Sequence, residues 1–357
     1  MKKKIAAILM AAVMGVSVLA GCAPKEQAPA EEPAQGSEQT QEGETSEQTA
    51  LKISMVTDVG GVKDQSFNQS AWEGLEKVKA DMGIEVGYIE SKQDADYDPN
   101  LESLVDAKND LIWGIGFKMA SSMKNAAEAY PDQKFAIIDN DYGDETPANV
   151  LGVMFKEQEV SYLMGVIAAK MTKTNKIGFI GGMDVPVINR FRYGFVKGVE
   201  DTNPDAQIDV QFAEAFDNPT KGKAIANQMY STGIDVIFHA AGDTGTGAIE
   251  SAKEQNQMVI GVDRDQNDLA PDNVISSAVK RVDNAIYEVA KELKDGNFAG
   301  GTTRTFGLAE GGVSIAPTTS KNVPEEILTL VKEMEEKIIS GEIKVPATAE
   351  EYDAMKN

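Results

Sequence analysis

Met55-Val-Thr-Asp-Val-Gly-Gly-Val-Lys-Asp-Gln-Ser-Phe-Asn68, followed by Gln69-Ser-Ala-Trp-Glu-Gly-Leu-Glu-Lys-Val-Lys79, is the stretch that decides the fold. Lys52 to Val56 is β-prone and alternating, and from Gln69 the apolar residues recur at helical spacing. Between them lies a polar loop with two glycines, so the stretch predicts strand, loop, helix. In an open α/β sheet such a loop sits at the carboxyl end of a strand, where ligands bind. Asp58, Asp64, Ser66, Phe67 and Asn68 are therefore candidates to face a small molecule.

The same alternation continues downstream. Ile84 to Ile89, Leu111 to Gly116, Lys134 to Asp139 and Val150 to Phe155 read as strands, with helices over Asn100 to Asn109 and Ala120 to Tyr130. A long helix from Glu157 to Met171 leads into a second series. Its strands are Lys176 to Ile180, Ile208 to Phe212, Asp235 to Phe238 and Val259 to Val262, and its helices are Val187 to Val199, Lys221 to Ser231 and Ala248 to Gln255. Strict alternation implies parallel sheets with helices on both faces, hence an α/β chain of two doubly wound lobes. In the first series Asp110-Leu-Ile-Trp-Gly-Ile-Gly-Phe117 precedes a helix and then Phe135-Ala-Ile-Ile-Asp-Asn-Asp141. In the second, Ile234-Asp-Val-Ile-Phe-His-Ala-Ala-Gly242 precedes a helix and then Val259-Ile-Gly-Val-Asp-Arg-Asp265. Both units end in Asp-x-Asp at a strand's carboxyl end, so facing lobes would aim Asp139 and Asp263 into one cleft. The alternative for each aspartate is a helix cap or turn residue. Past Asn273, a strand over Val274 to Val279, a helix over Val282 to Lys294, strands at Thr302 to Leu308 and Val313 to Ile315, and a helix over Glu325 to Ile339 imply that the chain crosses back between the lobes. The expected division is 51–154 with about 276–305, and 155–275 with about 306–345.

Composition bounds the partners. A chain of 357 residues with 42% hydrophobic residues can bury two cores, and a net charge of −23 repels nucleic acid. One histidine, His239, and one cysteine, Cys22, preclude an internal disulfide and a Cys/His zinc cluster. Lys2 to Lys4, the apolar run Ile5 to Val18 and Leu19-Ala-Gly-Cys22 form an export signal over residues 1–21. The residues Leu19-Ala-Gly-Cys22 resemble the bacterial lipobox, which implies a lipid on Cys22 and a location at the outer face of the cell membrane. Residues 22–50, rich in Glu, Gln, Pro, Ser and Thr without apolar periodicity, read as a disordered acidic tether.

Several motifs occur together and in order: Val56-Thr-Asp-Val-Gly-Gly61, Asp64-x-Ser-Phe-Asn68, Trp72-Glu-Gly74, Phe135-Ala-Ile-Ile-Asp139, Ile177-Gly-Phe-Ile-Gly-Gly182, Phe191-x-x-Gly-Phe195, Phe216-Asp-Asn-Pro219 and Ser277-Ala-Val-Lys280. From Leu51 to Ala347 the chain resembles the basic membrane protein family of bacterial lipoproteins. Members similar to the purine nucleoside receptor A type are substrate-binding proteins of ABC importers with the type I periplasmic-binding-protein fold. The resemblance implies that Phe67 and Phe216 clamp a purine base and that Asn68 and Asp139 hydrogen-bond it. It implies a ribose set of Asp58, Asp263, Lys280 and the backbone at Gly242, with Asp265 as the alternative to Asp263. It also implies partnership with an ABC permease. Asp243 departs from the small residue that the family often has after that glycine. Stacking and carboxylates suit a nucleoside, whose base offers flat faces and whose sugar offers hydroxyls. They repel a phosphate, and Lys280 alone does not reverse that.

Other readings fit less well. Gly60-Gly61 lacks the Gly-x-Gly-x-x-Gly spacing, and Gly242-Asp-Thr-Gly-Thr-Gly247 is not followed by a P-loop lysine, so no nucleotide cofactor is implied. The small residues of the second run instead suggest close backbone approach to a ligand. A nucleoside-processing enzyme would need a metal or general acid built from Asp139, Asp141, Asp263 or Asp265. A sugar in the same cleft would need only one aromatic wall. Phe191, on an apolar helical face, reads as core.

Overall fold

The computed structural model describes residues 51–356; the export segment, Cys22 and the tether lie outside the described residues. The elements of the first lobe are β1 (Lys52–Val56), α1 (Phe67–Met82), β2 (Glu85–Ile89), α2 (Tyr97–Asp106), β3 (Leu111–Ile115), α3 (Ala120–Ala129), β4 (Lys134–Ile138) and β5 (Val150–Phe155). The second follows with α4 (Glu157–Met171), β6 (Lys176–Gly181), α5 (Pro186–Thr202), β7 (Gln207–Phe212), α6 (Pro219–Ser231), β8 (Val236–Ala240), α7 (Thr244–Gln255), β9 (Met258–Asp263) and β10 (Val274–Lys280). Then come α8 (Val282–Lys294), β11 (Thr302–Phe306), β12 (Val313–Ile315), α9 (Glu325–Ile339) and a short α10 (Ala349–Ala354).

Two six-stranded sheets result, in the orders β11-β5-β4-β3-β1-β2 and β12-β10-β9-β8-β6-β7. The first is parallel throughout and the second parallel except for β12, which runs antiparallel to β10. Inner strands such as β3 and β8 are buried at every position, as strands covered by helices on both faces must be. This is the two-lobed, doubly wound architecture joined by crossover strands.

The chain passes between lobes three times, and the passages are bonded to one another. Lys156 N–H donates to the Phe306 carbonyl at 2.9 Å and Arg281 N–H to the Gly312 carbonyl at 2.8 Å. A carboxylate oxygen of Glu159 accepts the Leu308 N–H at 2.8 Å. β10 pairs with β9 and β12 up to its end, so the return to the first sheet falls at Arg281 rather than at about 276. After it, α8 packs on α1, where a Cβ on Gly74 would strike the backbone of Asp283. At the far end α10 returns to the second lobe, where the Tyr352 hydroxyl donates to Glu200 at 2.6 Å.

Close helix packing in the second lobe depends on missing side chains. At Gly165, Gly194 and Gly198 a Cβ would overlap a backbone carbonyl of the facing helix, of Phe195, Gln158 and Tyr162 respectively, so α4 and α5 touch backbone to backbone. The Gly-Thr-Gly run of α7 serves the same purpose. Gly245 lies against His239, and Gly247 lies against the Pro219 carbonyl of α6. Of the longer run Gly242 to Gly247, only Gly242 lines the cleft, so close packing rather than approach to a ligand accounts for Gly245 and Gly247. Gly198→Ala is expected to destabilise the protein by about 1–3 kcal/mol through overpacking. Urea denaturation measures it, and an unchanged midpoint would show that α4 and α5 can separate without cost.

Candidate functional site

The loop after β1 is built by one carboxylate. Asp64, nearly fully buried, accepts the backbone N–H groups of Ser66, Asn68 and Gln69 at 2.9, 2.8 and 3.0 Å, and the Asn68 side-chain amide at 3.0 Å. These are donors that the first turn of α1 would otherwise leave unpaired. Capping from Asp64 lets α1 begin at Phe67, earlier than the apolar period suggested, so Phe67 and Asn68 are the first helical residues. Asn68 also donates to Asp58 Oδ1 at 2.7 Å, and Gly60 N–H donates to the same oxygen at 3.0 Å. The Asn68 acceptor, Oδ1, is buried and takes no donor from the protein.

Between the lobes lies a cavity with about 580 Å³ of space free of protein atoms, part of it open to solvent. Its lining includes all eight residues singled out as ligand contacts: Asp58, Phe67, Asn68, Asp139, Phe216, Gly242, Asp263 and Lys280. Asp139, just after β4, and Asp263, the last residue of β9, have matching left-handed conformations, with φ of 65° and 64°, which aspartate tolerates better than most residues. Asp265 does not line the cavity. Its carboxylate instead accepts the Thr318 hydroxyl at 2.6 Å, tying the loop after β9 to the turn before α9. Asp243 stands at the start of α7 with its carboxylate accepting the Thr246 hydroxyl at 3.1 Å.

Asp139 and Lys280 spend their charges on each other. Lys280 Nζ lies 2.6 and 2.7 Å from the two Asp139 oxygens and 2.9 Å from Glu157 Oε1. Other bonds cross the cleft as well. The Ser66 hydroxyl donates to Asp263, Gln266 donates to the Gln65 carbonyl at 3.0 Å, and Arg264 pairs with Glu73 at 2.7 Å. The lobes are thus closed on one another.

Aromatic walls come from both lobes. Phe67 lies under Lys280 Nζ at 5.1 Å, and Phe216 meets Phe117 edge-on with centroids 6.4 Å apart. Phe117 is a residue that sequence reasoning missed. The signal was present, because Gly116-Phe117 ends the first Ile-Gly-rich strand where Gly242 ends its counterpart, and both glycines have positive φ. Val187 and Ile188 at the start of α5 add an apolar floor. Phe191 joins them on the wall while packing into the core against Phe238, at 6.2 Å between centroids. His239 is fully buried, and burial holds its imidazole down at about 4, so it stays neutral.

Burial pushes the Asp263 carboxyl up to about 7, with Lys280 and the Ser66 hydroxyl pulling it back. Burial likewise raises Asp58 to about 6, against the pull of Asn68 and the Gly60 N–H. A folded chain that keeps such protons to higher pH than the unfolded chain loses stability as pH rises from the ordinary carboxyl range through these values. The thermal midpoint of the ligand-free protein is therefore expected to fall between about pH 5 and pH 8, and Asp263→Asn to flatten that fall. An equally steep fall in the variant would mean that Asp263 does not take up its proton in the closed cleft.

Comparison with known proteins agrees with this architecture. The family model Bmp, described as ABC transporter substrate-binding protein PnrA-like, matches residues 51–349. The chain is 38% identical to the ABC transporter nucleoside-binding protein BmpA of Lactococcus lactis subsp. cremoris, over 97% of this chain and 100% of that one. It is 43% identical to basic membrane protein A of Borreliella burgdorferi, over 85% of this chain and 89% of the other. Among solved structures, an ABC transporter solute-binding protein from Aeropyrum pernix superposes with a TM-score of 0.77 at 31% identity, covering 86% of this chain and 96% of that one. An interlobe cavity, two doubly wound sheets and a match over nearly all the described residues lead to one conclusion: the chain belongs to the Bmp family of PnrA-like ABC transporter substrate-binding proteins.

Proposed function

We propose that the protein captures a purine nucleoside between its lobes and presents it to an ABC permease, held at the outer face of the cell membrane by lipid on Cys22. The carrying observation is the character of the cavity wall. Flat apolar rings from both lobes stand beside carboxylates, and the one cation among the described lining residues, Lys280, is already paired with two acids. Such a site favours an uncharged heterocycle with hydroxyls over a phosphorylated one. The nucleoside-binding name of the Lactococcus relative supports the same ligand class.

In this reading Phe67 and Phe216 hold the faces of the base, with Phe117 closing the same wall. Asn68 Oδ1, without a protein donor, accepts an N–H from the base edge. Asp139, held by Lys280, offers a further acceptor to the base, while Asp58, Asp263, Lys280 and the Gly242 backbone take the ribose. Closure then shifts a pre-existing equilibrium between open and closed lobes about the three crossings, and the closed form is the one the permease engages. No step of this scheme makes or breaks a covalent bond, so the role is that of a carrier.

Calorimetry against adenosine, guanosine, inosine, cytidine, ribose and galactose tests the ligand class. Purine nucleosides are expected to bind, and tight sugar binding without nucleoside binding would reject the reading. Phe67→Ala is expected to weaken nucleoside binding by about 1–3 kcal/mol while leaving the unfolding midpoint nearly unchanged. A large loss of stability would assign the ring to the core instead. For the anchor, Cys22→Ala expressed in the native cell type is expected to release the protein from the membrane fraction, and retention would argue against lipid at that residue.

A further inference from the structure

Resting on the reading of the cleft as a nucleoside site, we propose that Glu157 is a specificity-determining residue: it neutralises Lys280 within the second lobe and thereby excludes phosphorylated ligands. The three charged partners come from different lobes. Lys280 is the last residue of β10 and Glu157 the first of α4, both elements of the second lobe and both adjacent to a crossing. Asp139 directly follows β4 of the first lobe. When the lobes part, Asp139 leaves with its sheet, whereas Glu157 and Lys280 stay together at 2.9 Å. Glu157 is therefore the acid bonded to Lys280 when a ligand arrives, while Asp263, the other carboxylate that stays on the second lobe, acts on the ammonium through its field.

Without Glu157, the open second lobe would present an ammonium with no acid bonded to it, a ready site for a phosphate. With it, the ammonium is matched before the ligand enters. Glu157 itself is fully buried and held in place. Arg190 of α5 donates to its carboxylate at 2.5 and 3.4 Å, and its position at the start of α4 puts it where the helix dipole favours a negative charge. Asp139, Lys280, Glu157 and Arg190 thus form a line of alternating charges with no net charge. Nζ also faces the rings of Phe67 and Phe155, each with its centroid 5.1 Å away, and feels the charge of the Asp263 carboxyl. Burial alone would push the Glu157 carboxyl up, but Lys280 and Arg190 more than offset it and hold it below the usual range.

The test compares a purine nucleoside with its 5′-monophosphate by calorimetry, on the parent protein and on Glu157→Gln, which keeps shape and hydrogen-bonding capacity while removing the charge. The variant is expected to narrow the preference for nucleoside over monophosphate by on the order of ten- to a hundredfold, with monophosphate binding that weakens as salt rises. A Glu157→Gln/Arg190→Met variant leaves the same unmatched ammonium without an orphaned guanidinium, and it is expected to behave likewise should the single variant fold poorly. Lys280→Met placed on either background is expected to restore rejection of the monophosphate. Unchanged discrimination in folded variants that still bind nucleoside would overturn the assignment of Glu157 alone. A parent protein that binds no nucleoside would remove the reading of the cleft, and this inference with it.

Discussion

One ammonium group ties this protein together. Lys280 sits fully buried where two sheets meet, beside two of the three chain crossings, and an ion in that position is tolerated only when acids neutralise and hydrogen-bond it. Asp139 from one lobe and Glu157 from the other supply those acids, and Arg190 balances the second. Removing one member of such a set typically costs about 3–5 kcal/mol, because it leaves an uncompensated buried charge. Hinge, core and cleft consequently share a single electrostatic centre. A change made there for the sake of the ligand is felt in the fold.

Around that centre the architecture does what paired α/β lobes allow. Both sheets present the carboxyl ends of their parallel strands to the same gap, so loops of similar chemistry meet face to face. The two strand-end aspartates in left-handed conformation show that symmetry at the level of backbone dihedrals. The lobes differ in what they add. The first lobe brings Asp58, Phe67 and Asn68 from a loop ordered by the Asp64 carboxylate, together with Phe117. The second brings Phe216, Gly242, Asp263 and Lys280 above an apolar floor from α5. One side is rich in polar groups fixed by hydrogen bonds, and the other is smoother, an asymmetry suited to a ligand with a hydrophobic plane and a hydroxylated end.

The paired strand-end pattern was legible because it depends on local chemistry repeated at fixed spacing. Asp-x-Asp at the end of a buried strand, and Asp-x-Ser-Phe-Asn after another, announce loops at a sheet edge whatever the rest of the chain does. Phe117 and Glu157 were harder to see. Phe117 looks like the tail of an apolar strand, and only the positive φ of Gly116 turns it into the cavity. Glu157 looks like an ordinary acid in the first turn of a helix, and nothing local says that a lysine far along the chain will arrive beside it. The Gly-Thr-Gly run misled for the opposite reason, since small residues signal close approach without saying to what.

By itself, then, the sequence determined the alternation of strand and helix, the two matching lobes, and the residue types at the strand ends, because hydrophobic period and turn chemistry act over a few residues. Tertiary structure alone decided which charges cancel. It moved the second crossing to Arg281, made Asp139 the partner of Lys280, assigned Asp265 to a structural tie with Thr318, and enclosed Glu157 at the hinge. The physical reason is that these outcomes are fixed by contacts between segments distant in the chain. Desolvation then makes each such contact obligatory once the lobes come together.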